Sequence, residues 1–157
     1  MQRKWIYLGL GLLLPILLTL FLKFFGKSEF NIPVYYTDEV KSPCQGNYEA
    51  PYLIADSVLA KWGTANRVSL VTIDSSAEAS KNFERLHTEL TSADFNFVRL
   101  ENEPLNNQLL ECVLLVQKPW TTVLIDGQRR VRGYYAPSTR EEGDRLIVEM
   151  KILLKQY

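Results

Sequence analysis

Few side chains in this sequence could carry out covalent chemistry, and they are widely spaced. Cys44 and Cys112 could support thiol–disulfide exchange, and the single histidine, His87, could act as the base for a serine nucleophile. Ser76 precedes His87 by eleven residues on one expected helix, which places them about 16 Å apart at 1.5 Å per residue. A serine–histidine pair inside this helix is therefore excluded, and the position of Ser76 favours a helix cap.

The contexts of the two cysteines indicate different reactivity. Cys44 lies in Ser-Pro-Cys-Gln-Gly, which is typical of an exposed loop, whereas Cys112 falls on the apolar face of an expected helix, where thiols are usually inert. Cys44 is thus a weak redox candidate, since no resolving cysteine is adjacent. An oxidising compartment would permit a bridge between them, but sequence does not reveal whether they approach each other.

The remaining polar residues form no pattern that predicts a metal or cofactor site. His87 has no second histidine or cysteine at metal-ligand spacing. Asp74 and Asp126 are interpreted as turn and cap residues rather than as an acid/base pair. The sequence therefore predicts no catalytic residue, no metal and no cofactor, and it favours a role that is not enzymatic.

The first 27 residues predict a membrane anchor. Every residue from Trp5 to Leu22 is apolar or small except Thr19, and basic residues flank this run on both sides. Such a run just spans a hydrocarbon core of roughly 30 Å, so we expect residues 5–25 to form a single-pass transmembrane helix. A cleaved signal peptide is the alternative, but no small-residue cleavage site follows. With the amino terminus inside, the rest of the chain would lie on the periplasmic or extracytoplasmic side.

The charge of the chain argues against a nucleic-acid partner. Its 157 residues include 18 basic and 18 acidic side chains. Without residues 1–27, fourteen basic and eighteen acidic side chains remain, a net charge of −4. No basic surface of the kind that binds nucleic acid is therefore expected.

Residues 28–64 are predicted to be a connector that packs against a folded domain. The segment is rich in residues that favour turns, and its aromatic density argues against a disordered linker. Its prolines and tyrosines are Pro33, Pro43, Pro51, Tyr35, Tyr36, Tyr48 and Tyr52.

From residue 65 to residue 157 the hydrophobic pattern alternates between strands and helices. The expected strands cover 68–73 and 95–101, and a hairpin follows at 121–125 and 129–135. A helix after the first strand has the apolar stripe Ala79, Phe83, Leu86 and Leu90, and a second helix from Pro104 has the apolar residues Leu105, Leu109, Cys112, Val113 and Val116. A final helix follows the capping box Ser138-Thr-Arg-Glu141. This order, β-α-β-α-β-β-α, predicts an α/β thioredoxin-like core with one parallel pair and an antiparallel hairpin.

The hairpin Val123-Leu-Ile-Asp-Gly-Gln-Arg-Arg-Val-Arg-Gly-Tyr-Tyr135 resembles that of the SCO/SenC family. Members of this family are thioredoxin-like proteins that deliver copper for cytochrome c oxidase assembly or act as thiol oxidoreductases. The run from Val68 to Ser80 also looks like the strand, loop and helix start that carry a thioredoxin-type active site.

The resemblance implies a copper site whose ligands are replaced in this chain. The family binds copper through a C-x-x-x-C motif after the first core strand and a histidine before the hairpin. The corresponding positions hold Ser76, Ser80 and Lys118. A hydroxyl is too hard a ligand to select copper(I), and an ammonium group does not bind metal. The chain is thus expected to be a degenerate member of the family.

Two functional hypotheses follow from these observations. The first is a membrane-anchored interaction or assembly factor linked to respiratory oxidase or envelope redox processes, with a protein partner on the thioredoxin-type face near Ser76 and Pro119. The second is a thiol-disulfide oxidoreductase or redox sensor that uses Cys44. A fold used only as a scaffold for an unrelated partner is a third possibility.

Pro119 stands where thioredoxin-like folds often hold a cis-proline.

Overall fold

A computed structural model describes residues 13–21, 23, 31–42, 44–46, 48–63, 67–91, 94–101 and 104–155. The chain divides into two compact units, Met1–Asn31 and Ile32–Tyr157. The first unit is helical over residues 13–21 and at residue 23. All further elements belong to the second unit.

The predicted N-terminal transmembrane helix is wrong for the part of the chain that the structure describes. There, no helix is both long and apolar enough to cross a membrane. Residues 1–12, 22 and 24–27 of the predicted anchor lie outside the described residues.

The second unit contains a four-stranded mixed sheet. Its strands are β1 (Ser69–Thr72), β2 (Asn96–Arg99), β3 (Thr122–Ile125) and β4 (Val131–Tyr135), in the spatial order β2-β1-β3-β4. The helices are α1 (Asp56–Lys61), α2 (Ala77–Glu89), α3 (Pro104–Cys112) and α4 (Arg140–Leu154). β1 is parallel to β2 and antiparallel to β3, and β3 is antiparallel to β4. From β1 onward the order is β-α-β-α-β-β-α, so the predicted thioredoxin-like core is confirmed.

The sheet separates two hydrophobic layers. Successive side chains of a strand point to opposite faces, so Leu70 and Leu124 lie on one face, and Val71 and Val123 lie on the other. The first face packs against apolar residues of α2 and α4, and the second packs against those of α1 and α3. β1 is buried along its whole length because it is central, and its polar Thr72 is paired with Thr122, with 2.7 Å between the hydroxyl oxygens.

Two helices differ from expectation. α1 is not predicted by the sequence, since it is only six residues long and lacks a side-chain cap; the burial of Leu59 against the core holds it in place. α3 ends at Cys112, whereas the apolar pattern extends it to Val116. Leu115 adopts a left-handed conformation with φ of 55°, which no α-helix contains. The segment after Cys112 therefore leaves the helical path.

The connector packs directly on the outer edge of the sheet. Tyr35 N donates to Val131 O, and Ile54 N donates to Arg129 O, each at 3.0 Å. Ile32 is buried in the first hydrophobic layer. Residues 32–62 thus form part of the same compact unit as the sheet.

One buried carboxylate, that of Asp126, organises the β3–β4 turn. It is 1% exposed, and its Oδ1 accepts from Gln128 N and Arg130 N, both at 2.9 Å. Its Oδ2 accepts from Arg130 Nε at 2.7 Å and from Arg132 Nη1 at 3.2 Å. Arg132, itself 4% exposed, donates through Nη2 to Ile32 O at 2.8 Å. The predicted turn role of Asp126 thus includes an ionic link from the hairpin to the connector.

Candidate functional site

The candidate site lies where β1 ends and α2 begins. Asp74 N donates to Thr72 Oγ1 at 3.0 Å. The Asp74 carboxylate accepts from Ser76 N at 2.9 Å and from Thr121 Oγ1 at 3.1 Å. One side chain therefore joins the start of α2 to the segment that leads into β3.

The two serines at the positions expected for cysteines face the same side of α2. Ser76 is the N-cap, and its hydroxyl accepts from Ala79 N at 3.2 Å. Ser80 lies one turn further, and its N–H donates to Ser76 O at 2.9 Å. Both serines are half-buried. The hydroxyl of Ser76 is thus engaged in starting the helix rather than paired with a catalytic base.

Replacement of Ser76 by alanine should lower the free energy of unfolding by about 1 kcal/mol, because Ala79 N–H loses its acceptor at the start of α2. Urea denaturation followed by circular dichroism measures this change. Ser75→Ala is the matched control, since Ser75 is exposed and its side chain makes no hydrogen bond within the described part of the chain. Equal stability of the two variants would contradict the capping role.

Lys118 and Pro119 lie beside this region, in the turn before β3. Both are exposed, and the peptide bond between them is cis. Trp120 N donates to Gln117 O at 3.0 Å, which closes the turn. Lys118, the residue expected in place of a histidine ligand, thus lies at the surface.

A groove of about 330 Å³ opens between α3 and this turn. Its walls include the apolar residues Ile73, Leu110, Val116 and Trp120, and Lys118 and Glu111 contribute charge. Neither Ser76 nor Ser80 lines the groove. The structure thus brings Lys118 and Pro119 next to the end of β1, while the serines lie beyond Asp74.

Cys44 and Cys112 form a disulfide, a pairing that sequence reasoning left open. Their Cα atoms are 5.5 Å apart although 68 positions separate them in the chain. Cys112 is the last residue of α3, and Cys44 belongs to the connector. Both residues are half-buried. The bridge therefore fastens the connector to the end of α3.

Four tyrosines hold the end of α3 and the residues after it, and we call them the tyrosine clamp: Tyr36, Tyr48 and Tyr52 of the connector and Tyr134 of β4. The end of a helix leaves backbone carbonyls without helical partners. Here four consecutive carbonyls each accept a tyrosine hydroxyl. The bonds are Tyr48 Oη to Cys112 O at 2.9 Å, Tyr52 Oη to Val113 O at 2.7 Å, Tyr134 Oη to Leu114 O at 2.9 Å and Tyr36 Oη to Leu115 O at 3.5 Å. The clamp thus replaces the helical turn that the sequence predicts after Cys112.

The hydroxyls of Tyr52 and Tyr134 remain protonated donors at neutral pH. Burial is the main cause that raises the pKa of Tyr134 far above its ordinary value, and the neighbouring hydroxyl of Tyr36, 3.2 Å away, adds to the effect. Burial also raises the pKa of Tyr52. Aromatic density in the connector was the sequence signal for packing, but the carbonyl acceptors come from a segment more than sixty positions away.

The position of the disulfide differs from that of a thioredoxin-type redox pair. Such a pair sits at the start of α2, where the positive end of the helix dipole stabilises a thiolate. Cys112 instead ends α3, where the negative end of the dipole disfavours a thiolate. The position of Cys112 is therefore unlike that of a catalytic thiol in a thioredoxin-type pair.

His87 does not approach the candidate site. It is exposed, and its ring packs against Phe95 and Phe97, with centroids 5.5 and 5.3 Å away. Within the described residues, no group of three or more histidine, cysteine or acidic side chains is placed to hold a metal ion.

Fold and site together define an α/β domain of the thioredoxin type whose disulfide lies away from the start of α2. A scan against protein-family models finds no match, and a search of the curated proteins finds no significant relative. Among solved structures, the chain is similar to the solution structure of a proposed protein disulfide isomerase from Bacteroides thetaiotaomicron. That match has 14% sequence identity and a TM-score of 0.43, and it covers 78% of this chain and 94% of the other. The class assignment rests on the strand order and connections of the sheet.

Proposed function

We propose that this protein is a degenerate SCO-like domain that binds a protein partner on its thioredoxin-type face and performs no catalysis. One observation carries this proposal: an open groove lies beside the start of α2, and the start of α2 has no thiolate that could bind copper. The Ser76 hydroxyl caps α2, and Lys118 lies exposed at the edge of the groove. The resemblance of the hairpin to the SCO/SenC family supports a role in respiratory oxidase assembly or a related envelope process.

The chemistry of the groove favours an extended polypeptide segment as its occupant. A volume of about 330 Å³ suits one or two apolar side chains, and Leu110, Val116 and Trp120 provide an apolar wall. Lys118 and Glu111 place one charge of each sign beside it. Polar backbone groups of a bound peptide would therefore find partners at the edge while its apolar side chain is buried.

The disulfide supports function in an oxidising compartment. Bridges of this kind persist outside the reducing cytosol. Cys44 and Cys112 are both consumed in the bridge, so no free thiol remains in this state. The bridge therefore supports our proposal that the domain works in an extracytoplasmic environment.

The bridge is also the observation that favours the second candidate, a thiol-disulfide oxidoreductase that uses Cys44. The position of Cys112 at the end of α3 weakens this candidate, because a thiolate is disfavoured there. Acceleration of the reduction of insulin by dithiothreitol would support the oxidoreductase; we expect no acceleration.

Two arms of one experiment test the proposed function. In the first, the oxidised full chain is titrated with copper(I) against a chromophoric chelator. We expect no stoichiometric binding, whereas the variant Ser76→Cys/Ser80→Cys/Lys118→His should gain a one-to-one site because thiolate and imidazole ligands suit copper. Tight one-to-one binding by the natural sequence would overturn the proposal.

In the second arm, peptides selected from a random displayed library are measured against variants of the groove. Binding should weaken at least about tenfold in Trp120→Ala, since the loss of an aromatic wall costs more than about 1.4 kcal/mol. Leu105→Ala is the matched control, because Leu105 is an exposed apolar residue of α3 outside the groove. Selected peptides whose binding is unaffected by Trp120→Ala would contradict the assignment of the groove.

A further inference from the structure

We propose that the Cys44–Cys112 disulfide is a redox-sensitive clamp that sets the shape of the groove. This inference rests on the proposed function, because it concerns regulation of the surface on which the partner is proposed to bind. Its basis is the position of Cys112 in the chain and the set of contacts that the connector makes around it.

Cys112 lies between the two stretches that form one side of the groove. Leu110 and Glu111 precede it on α3, and Val116 and Lys118 follow it. A displacement of Cys112 and its neighbours therefore moves both stretches together. No other covalent link holds this segment to the connector, since the described residues contain one disulfide.

The connector holds the segment after α3 at several neighbouring points. Tyr48 and Tyr52 donate to the carbonyls of Cys112 and Val113, and Gln117 Nε2 donates to Lys41 O at 3.4 Å. Tyrosine rings at 48 and 52 also pack together, with centroids 5.8 Å apart. These hydrogen bonds are neutral, and each contributes only about 0.5–1.5 kcal/mol net to stability.

The disulfide converts these weak contacts into a fixed attachment. With the bridge closed, Tyr48 and Tyr52 remain close to their acceptors because Cys44 is tied to Cys112. With the bridge open, the loop around Cys44 is attached only by non-covalent contacts, so the half-buried end of α3 at Cys112 and Val113 gains freedom, while Leu114 and Val116 stay buried. The groove wall beside Cys112, which includes Glu111, then loses its defined position next to Trp120 of the same groove.

The switching step is an exchange with a dithiol reductant. One thiolate of the reductant attacks a sulfur of the Cys44–Cys112 bond, which breaks, and a mixed disulfide forms while the other protein sulfur leaves as a thiolate. The second thiol of the reductant then closes its own disulfide and releases the remaining protein sulfur. The reductant loses two electrons and two protons, and the protein takes them up when its disulfide becomes two thiols.

Trp120 reports the state of the groove without any partner. The full chain contains three tryptophans, and Trp5→Phe/Trp62→Phe leaves Trp120 as the only one. In this background we expect complete reduction by dithiothreitol, verified by mass after alkylation, to shift Trp120 emission to longer wavelength and to increase its quenching by acrylamide. Cys44→Ala/Cys112→Ala should show the reduced-state spectrum from the start and should not respond to dithiothreitol.

Matched tyrosine variants test the contribution of the hydrogen bonds. In the oxidised protein, Tyr52→Phe should also shift the emission of Trp120 to longer wavelength, but by less than complete reduction does. Tyr35→Phe is the control and should leave the emission unchanged, because Tyr35 packs against Tyr134 but its hydroxyl makes no hydrogen bond within the described part of the chain. Far-ultraviolet circular dichroism is recorded in parallel to follow the helices.

Two outcomes would overturn this inference. The first is identical Trp120 emission and quenching before and after complete reduction. The second is loss of the helical spectrum on reduction, because the device requires a local change in a domain that stays folded. Neither outcome bears on copper or peptide binding by the oxidised protein, so failure of the clamp is distinguishable from failure of the proposed function.

Discussion

Removal of the Cys44–Cys112 bridge should lower the free energy of unfolding by about 4 kcal/mol, which is the largest effect that we expect from loss of one covalent bond. The bridge joins residues 68 positions apart, so it removes a large loop-closure entropy from the unfolded chain. Both cysteines are half-buried, and alanine at each position leaves little unfilled space. The measurement is guanidinium denaturation of Cys44→Ala/Cys112→Ala against the oxidised natural sequence.

The natural sequence under full reduction provides the control for this comparison. It should lose about the same stability as the double variant, since both lack the bridge. The reduced protein and the double variant should also have larger denaturant slopes than the oxidised protein, because their unfolded chains expose more surface. A loss below about 1 kcal/mol in both would show that the bridge does not constrain the unfolded chain as we infer.

Asp126→Ala should lower the free energy of unfolding by about 3–5 kcal/mol, because it leaves the buried charge of Arg132 without its partner. Arg132 is 4% exposed, and its guanidinium would keep only the contact with Ile32 O among those described here. The turn would also lose the acceptor for Gln128 N and Arg130 N. Urea denaturation at neutral pH measures the loss.

Asp56→Ala is the matched control for Asp126→Ala. Asp56 also pairs with an arginine, Arg129, at 2.8 Å, but its side chain is 75% exposed. Solvent screens such a pair, so its removal should change stability by less than about 1 kcal/mol. Should Asp126→Ala fold too poorly for measurement, Asp126→Ala/Arg132→Met removes both buried charges and should recover part of the loss. Equal effects of Asp126→Ala and Asp56→Ala would contradict the ionic role.

The contacts at the start of α2 show how a thioredoxin-type fold keeps its loop geometry there without thiols. Ser76 satisfies the backbone N–H of Ala79, a task that a serine hydroxyl performs well at a helix start. Asp74 holds the same loop against Thr121. The geometry of the face thus rests on oxygen hydrogen bonds, which need neither a metal nor a redox couple.

The sequence by itself determined the element order from β1 onward and several local polar contacts. Periodicity predicts β-α-β-α-β-β-α because each element must bury one face against the others. The cap at Ser76 and the turn at Asp126 are likewise predictable, since the donors lie within four positions of the acceptor. Such contacts depend on residue type and short spacing alone.

Two other predictions from local pattern differ from the structure, and for α3 the reason is physical. The apolar run near the N-terminus predicts a membrane-spanning helix, but among the described residues no helix is long and apolar enough to cross a membrane. Apolar spacing extends α3 to Val116, but tyrosine hydroxyls take the carbonyls after Cys112 and Leu115 turns to positive φ. A pattern of side chains does not reveal distant groups that compete for the backbone.

Only the tertiary structure decided the disulfide, the tyrosine clamp and the groove. Cys44 and Cys112 are 68 positions apart in the chain, and Tyr48 donates to the carbonyl of Cys112 across 64 positions. These pairings exist because the connector folds back over the sheet and meets the end of α3. Two distant segments meet only where the whole chain buries its apolar faces, and no local spacing encodes that meeting.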